Sequence, residues 1–127
     1  MSKKRLLIID DDPRNIFALV NTLRAKSYDC LSCLSAEEAL KLLQTDEIID
    51  AILIDMMMPE MDGYETTRRI RQQVSTRNLP VIAVTAKTMM GDRDKCIKAG
   101  ASDYISKPVD IDQLLSLLRV WLYQLNS

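Results

Sequence analysis

The chain has 127 residues, 47% hydrophobic and 28% charged, with 17 basic and 18 acidic side chains for a net charge of −1. That length suits a single domain, 1–127, with an apolar core of its own; the balanced charge leaves no basic surplus for nucleic acid, and no apolar run approaches the ~20 residues of a membrane-spanning helix. There is no histidine, which excludes histidine triads, HExxH zinc sites and histidine general bases. Any chemistry falls to carboxylates, lysine, hydroxyls, thiols or a bound metal.

The basic start, Met1 to Arg5, is followed by too short an apolar stretch for a secretory signal, so a cytoplasmic protein is expected. Arg5 to Asp10 (RLLIID) reads as a buried strand ending in acid. Asp12-Pro13 then offers an N-cap and a proline at the first helical position, and Ile16, Leu19, Val20 and Leu23 form one helix face through about Lys26. Tyr28 to Leu34 is a second strand, less regular. It holds Cys30 and Cys33, whose CxxC spacing in a strand points them to opposite faces; with Cys96 the count is odd, and the thiols are read as core filling. Ser35 and Glu38 make a capping box that opens a helix to about Thr45.

Ala51 to Ile54 (AILI) is a third strand, ending at Asp55. Met58-Pro59 and Asp62-Gly63 mark a loop before a polar helix to about Val74, on which Arg68, Arg69 and Arg71 are expected to be solvated. Pro80 to Thr85 (PVIAVT) is the fourth strand. A helix from about Met90 to Ala99 ends at Gly100, a fitting left-handed terminator. Asp103 to Ser106 is a short fifth strand, and Asp110 caps a last helix carrying Leu114, Leu117, Leu118, Trp121 and Leu125. The pattern is (βα)₅ without linker or repeat: an α/β, doubly wound three-layer sandwich on a parallel sheet.

In such folds the site lies beyond the carboxyl ends of the strands. Asp10, Asp11 and Asp12 follow the first strand, Asp55 the third, Thr85-Ala86 the fourth and Lys107-Pro108 the fifth. Clustered carboxylates repel by roughly 4 kcal/mol per pair about 4 Å apart at an effective dielectric of about 20. Lys107 offsets part of this, and a hard divalent ion such as Mg²⁺, which takes oxygen ligands, suits the remainder.

The segments LLIIDDDPRN, AILIDMMMPEMDGYE, VIAVTAK and GASDYISKPVD resemble the receiver domains of two-component signalling, in order, from about Arg5 to Leu125. The resemblance implies a flavodoxin-like strand order of 2-1-3-4-5. It implies Asp55 as phosphoacceptor. On this resemblance Mg²⁺ is expected to be held by Asp11 directly, by Asp10 mainly through water, by Asp55 and by the Met57 backbone carbonyl. Thr85, the Ala86 amide and Lys107 are then expected to contact the phosphoryl oxygens, Thr85 and Tyr104 to form a switch, and Lys107–Pro108 to be cis, as the resemblance implies. It further implies a donor phosphohistidine on a histidine kinase or histidine phosphotransfer domain. The same likeness implies slow aspartyl-phosphate hydrolysis in place of enzymatic turnover. It implies an output face formed by the fourth helix, fifth strand and fifth helix, with Ile105 and Leu114 expected on it and a homodimer possible through it. A passive relay to a histidine carrier is the alternative.

Other readings are weaker. A haloacid-dehalogenase-like phosphatase resembles a D-x-D arrangement, whereas Asp55 precedes Met56-Met57 and no cap domain exists; a flavodoxin-like electron carrier needs a Gly/Ser/Thr-rich loop where this chain has Asp10-Asp11-Asp12-Pro13. Asp12 is read as a helix cap, the methionine triple as packing rather than soft-metal ligation, and Trp121 as core or docking surface. The start at Met1 favours a stand-alone regulator, while the ending resembles receivers fused to hybrid kinases.

Overall fold

The computed structural model describes residues 3–58, 61–86 and 92–123. Five strands alternate with five helices: β1 (Arg5–Ile9), α1 (Pro13–Ala25), β2 (Asp29–Cys33), α2 (Ala36–Leu42), β3 (Ala51–Asp55), α3 (Gly63–Gln72), β4 (Val81–Thr85), α4 (Asp92–Ala99), β5 (Asp103–Ser106) and α5 (Ile111–Leu122). All neighbouring strands are parallel, in the order β2-β1-β3-β4-β5. The chain reverses direction across the sheet at β1, so β1 and β3 lie side by side and their ends open onto one crevice.

Alternation along the strands divides the core in two. Leu7, Ile9, Ile52, Ile54, Val81 and Ala83 meet Ala36 and Ala39 of α2, Tyr64 and Ile70 of α3, and Cys96 and Ala99 of α4. Leu6, Ile8, Ala51, Leu53, Ile82 and Val84 meet Ile16 and Leu23 of α1 and Leu114 and Leu118 of α5. Cys33 belongs to the first cluster and Cys30 to the second, so the CxxC pair is split by the sheet. Both thiols are free, and burial pushes Cys33 up to about 11.

Caps set the helix starts. Asp12 accepts from Arg14 N–H at 2.9 Å with Pro13 behind it, Asp62 from Glu65 N–H at 2.9 Å, and Asp110 from Gln113 N–H at 3.1 Å. Ser35 Oγ accepts from Glu38 N–H at 3.2 Å and donates to the Glu38 carboxylate at 3.4 Å, a looser variant of the expected capping box.

Several ends differ from the sequence reading. β2 starts at Asp29, because Tyr28 closes the turn after α1 by donating to Leu23 O at 3.0 Å, with Ser27 at φ +73°. Two helices stop early where a threonine hydroxyl takes a carbonyl: Thr45 Oγ1 donates to Leu42 O and Thr76 Oγ1 to Ile70 O, each at 2.6 Å. Gly100 has φ +113°, as a terminator of α4 requires. The expected helical stretch at Met90, the turn residue Pro59 and the end at Leu125 lie outside the described residues.

Two expectations are overturned. Ile105 and Leu114 are 1% and 0% exposed and belong to the core beneath α5, not to an outer face; the exposed apolar side chains of α4 and α5 include Ile97 and Val120. Arg71 is not solvated like Arg68 and Arg69, which pair with Glu65. Its guanidinium donates to the carbonyls of Gly100 (2.7 Å), Leu79 (2.6 Å), Arg77 (3.2 Å) and Thr76 (3.3 Å) and to Ser102 Oγ (3.2 Å).

Candidate functional site

The strand register brings the expected residues together. Ile9 pairs with Ile54, Asp55 with Val84 and Thr85 with Ser106, so the residues at the carboxyl ends of β1, β3, β4 and β5 lie along one edge. Ligand oxygens of Asp10, Asp11 and Asp55 fall within 4.8 Å of one another. Asp10 and Asp55 are 5% and 4% exposed, while Asp11 is open to solvent.

Both Asp55 oxygens are engaged. Oδ1 accepts from Met57 N–H at 2.9 Å and Oδ2 from Lys107 Nζ at 3.1 Å. Asp10 Oδ1 accepts from Asp12 N–H at 2.9 Å, and Asn15 Nδ2 makes a long 3.5 Å contact with Oδ2. Burial raises the Asp10 carboxyl above its ordinary value, the Asp12 amide opposes this, and the negative Asp55 adds to the rise. The positive Lys107 acts the other way and is outweighed by burial.

Thr85 is buried at the end of β4, next to the exposed Ala86. The Lys107 amide donates to Thr85 O at 2.8 Å, tying the β5 terminus to β4, and Lys107–Pro108 is cis. Met57 is 64% exposed between the buried Met56 and Met58, so only the middle methionine faces solvent. Tyr104 is half-buried on the α3–α4 side and pairs with Ala83, two residues before the Thr85 register position. Asp12 stands apart from the oxygen cluster, as a cap. A cleft of about 710 Å³ runs from Asp10, Asp55 and Lys107 between α1 and the β5–α5 loop, past Leu19, Pro108 and Ile111. Sequence reasoning missed Asn15, whose contact with Asp10 has a weak signal, lying within one turn of the acidic run.

Arrangements of this kind recur in known proteins. Residues 6–119 match the family model described as the response regulator receiver domain. The response regulator PleD of Caulobacter vibrioides is 36% identical over 115 residues, covering 91% of this chain and 25% of PleD. The sensor histidine kinase RcsC of Salmonella typhi is 38% identical over 116 residues, covering 91% of this chain and 12% of RcsC. The chain therefore spans a quarter or less of these relatives' lengths. Among solved structures, the receiver domain of a sensor histidine kinase from Pseudomonas aeruginosa PAO1 superposes with a TM-score of 0.87 at 33% identity, covering 97% of this chain and all of the other. That protein was crystallised with a magnesium ion coordinated in its active site cleft. This chain belongs to the response regulator receiver domain family of two-component signalling. It is similar to the receiver domains of hybrid kinases, and among its described residues no helix is long and apolar enough to cross a membrane.

Proposed function

We propose that this chain takes a phosphoryl group from a partner's phosphohistidine onto Asp55, with Mg²⁺ bound alongside. The observation that carries the reading is a buried carboxylate, Asp55, with Lys107 Nζ 3.1 Å on one side and the Asp10 and Asp11 oxygens within 4.8 Å on the other. An all-oxygen donor set carrying more negative than positive charge fits a hard divalent ion, held by Asp10, Asp11, Asp55 and the Met57 carbonyl. When bound, the ion neutralises the crowded carboxylates and the phosphoryl oxygens.

This chain's residues do the rest by position and charge. An Asp55 oxygen attacks phosphorus in line; a P–O bond forms as the P–N bond to the imidazole breaks, and the imidazole leaves. Lys107, the Thr85 hydroxyl and the Ala86 amide take up the phosphoryl oxygens. Water later hydrolyses the aspartyl phosphate slowly, so the chain is a self-modifying acceptor rather than an enzyme. Having no histidine, it depends on a histidine kinase or histidine phosphotransfer domain. The cleft beside α1, lined there by Asn15, Ala18 and Leu19, gives that partner an approach.

The output is a change of packing on α4, β5 and α5: Thr85 is drawn toward the phosphoryl group and Tyr104 turns into the space behind it. The face can then hold a partner or a second copy. A passive relay to a histidine carrier is the second reading, favoured by the 38% identity over 116 residues to RcsC, a sensor histidine kinase. Either role belongs in the cytoplasm and needs no nucleic acid. The test is incubation with a small phosphodonor and Mg²⁺, digestion and mass-spectrometric mapping. One label, on Asp55, is expected; full labelling of Asp55→Asn would sink the assignment.

A further inference from the structure

We infer that Gly63, outside the cluster of charged groups, is a positioning residue for the metal-binding carbonyl of Met57. The inference rests on the Mg²⁺ reading above and adds a residue to it. Gly63 is the buried first residue of α3, and its amide donates to Met56 O at 3.2 Å. A Cβ there would lie 2.5 Å from Met56 Cα, 2.6 Å from Met56 Sδ and 2.8 Å from Asp55 O. Two of these three atoms are backbone, so a methyl group cannot be accommodated by turning a side chain.

The backbone so approached bears directly on the site. Met56 is fully buried, and its own amide donates to Val84 O at 3.0 Å. The next residue, Met57, donates its N–H to Asp55 Oδ1 at 2.9 Å. The Met56–Met57 backbone is therefore held by β4 and Asp55 on one side and by the start of α3 on the other, and the absence of a side chain at Gly63 lets α3 come that close. Mg²⁺ requires near-octahedral geometry with oxygens at about 2.0–2.1 Å, so a displacement of a few tenths of an ångström at the Met57 carbonyl is enough to weaken binding. Here glycine serves close approach and not a left-handed turn.

The test is an NMR titration of amide shifts with MgCl₂, on the wild type, Gly63→Ala and Arg71→Met. Arg71→Met loosens the same helix from its other end and serves as a control for general destabilisation. Gly63→Ala is expected to bind Mg²⁺ roughly tenfold more weakly, the range found for groups that orient a metal ligand, while Arg71→Met stays within about twofold. A folded Gly63→Ala that binds as tightly as the wild type overturns the inference. So does an equal loss in both variants. If Gly63→Ala does not fold, hydrogen exchange of the wild type decides. Reciprocal coupling requires Mg²⁺ to slow exchange at the Gly63 amide, and unchanged exchange at saturating Mg²⁺ overturns the inference. A wild type that shows no Mg²⁺-dependent shifts at all removes the Mg²⁺ reading itself, and this inference with it.

Discussion

Asp55, with its two oxygens held by Met57 and Lys107, and Asp10, pressed into the sheet edge beside it, illustrate what one residue contributes. Asp10 has a folded-state pKa raised above 3.8, chiefly by burial. Its contribution to stability is fully present below the ordinary carboxylate value and is lost as pH rises through the raised one. Without Mg²⁺, Asp10→Asn should therefore melt higher than the wild type at neutral pH, and the gap should narrow as pH falls toward 4. The amide keeps an acceptor for the Asp12 N–H. Thermal melts over that pH range, with and without Mg²⁺, check this; an equal or lower melting temperature at pH 7.5 without Mg²⁺ refutes it. Arg71 gives a second case. Arg71→Met should cost about 2 kcal/mol in urea unfolding, because several carbonyls, most of them partly buried, lose their donor together, whereas Arg68→Met should stay within about 0.5 kcal/mol. The acidic residues and Lys107 were legible because each stands at or just past the carboxyl end of a strand. Arg71 and Gly63 were not. Arg71 reaches Gly100, 29 positions away, and the value of Gly63 lies in the backbone it permits to approach.

At the level of helices and strands, the starts were easier to read than the ends. Asp12-Pro13, Ser35 and Asp110 announce their helices, since a short oxygen-bearing side chain before an apolar periodicity serves one purpose well; Asp62 was read only as part of a loop, and the structure makes it the cap of α3. Asp110→Ala should cost about 1 kcal/mol of stability and Asp110→Asn only a few tenths, measurable by chemical denaturation; equal losses would show that charge, not the acceptor, matters. The ends of α2 and α3 depended on the Thr45 and Thr76 hydroxyls reaching back to carbonyls. Threonine in a loop carries no local sign of that choice. β5 was read with its observed limits, Asp103–Ser106, despite being short, because Gly100 and Pro108 bracket it.

For the molecule as a whole, continuous apolar runs such as AILI revealed a sheet covered on both faces, while the order of strands came only from likeness to a family. Hydrophobic pattern tells a strand which faces it buries, not which neighbour it pairs with. On the switching reading, beryllofluoride with Mg²⁺ should shift amides throughout α4, β5 and α5; on the relay reading, shifts stay near Asp10, Asp55, Met57, Thr85 and Lys107. An NMR comparison of the two states decides, and unchanged α4 and Tyr104 signals at full occupancy remove the switch. The hydrogen-bond geometry of Trp121, the single tryptophan, has an optical consequence. Its indole N–H donates to Asp103 Oδ2 at 3.2 Å, at the start of β5. That point is roughly 10 Å of strand, at about 3.3 Å per residue, from the acidic end. Its emission should therefore ignore the ion and respond when α5 slides against β5, giving the chain a built-in fluorescent gauge of helix displacement that needs no label.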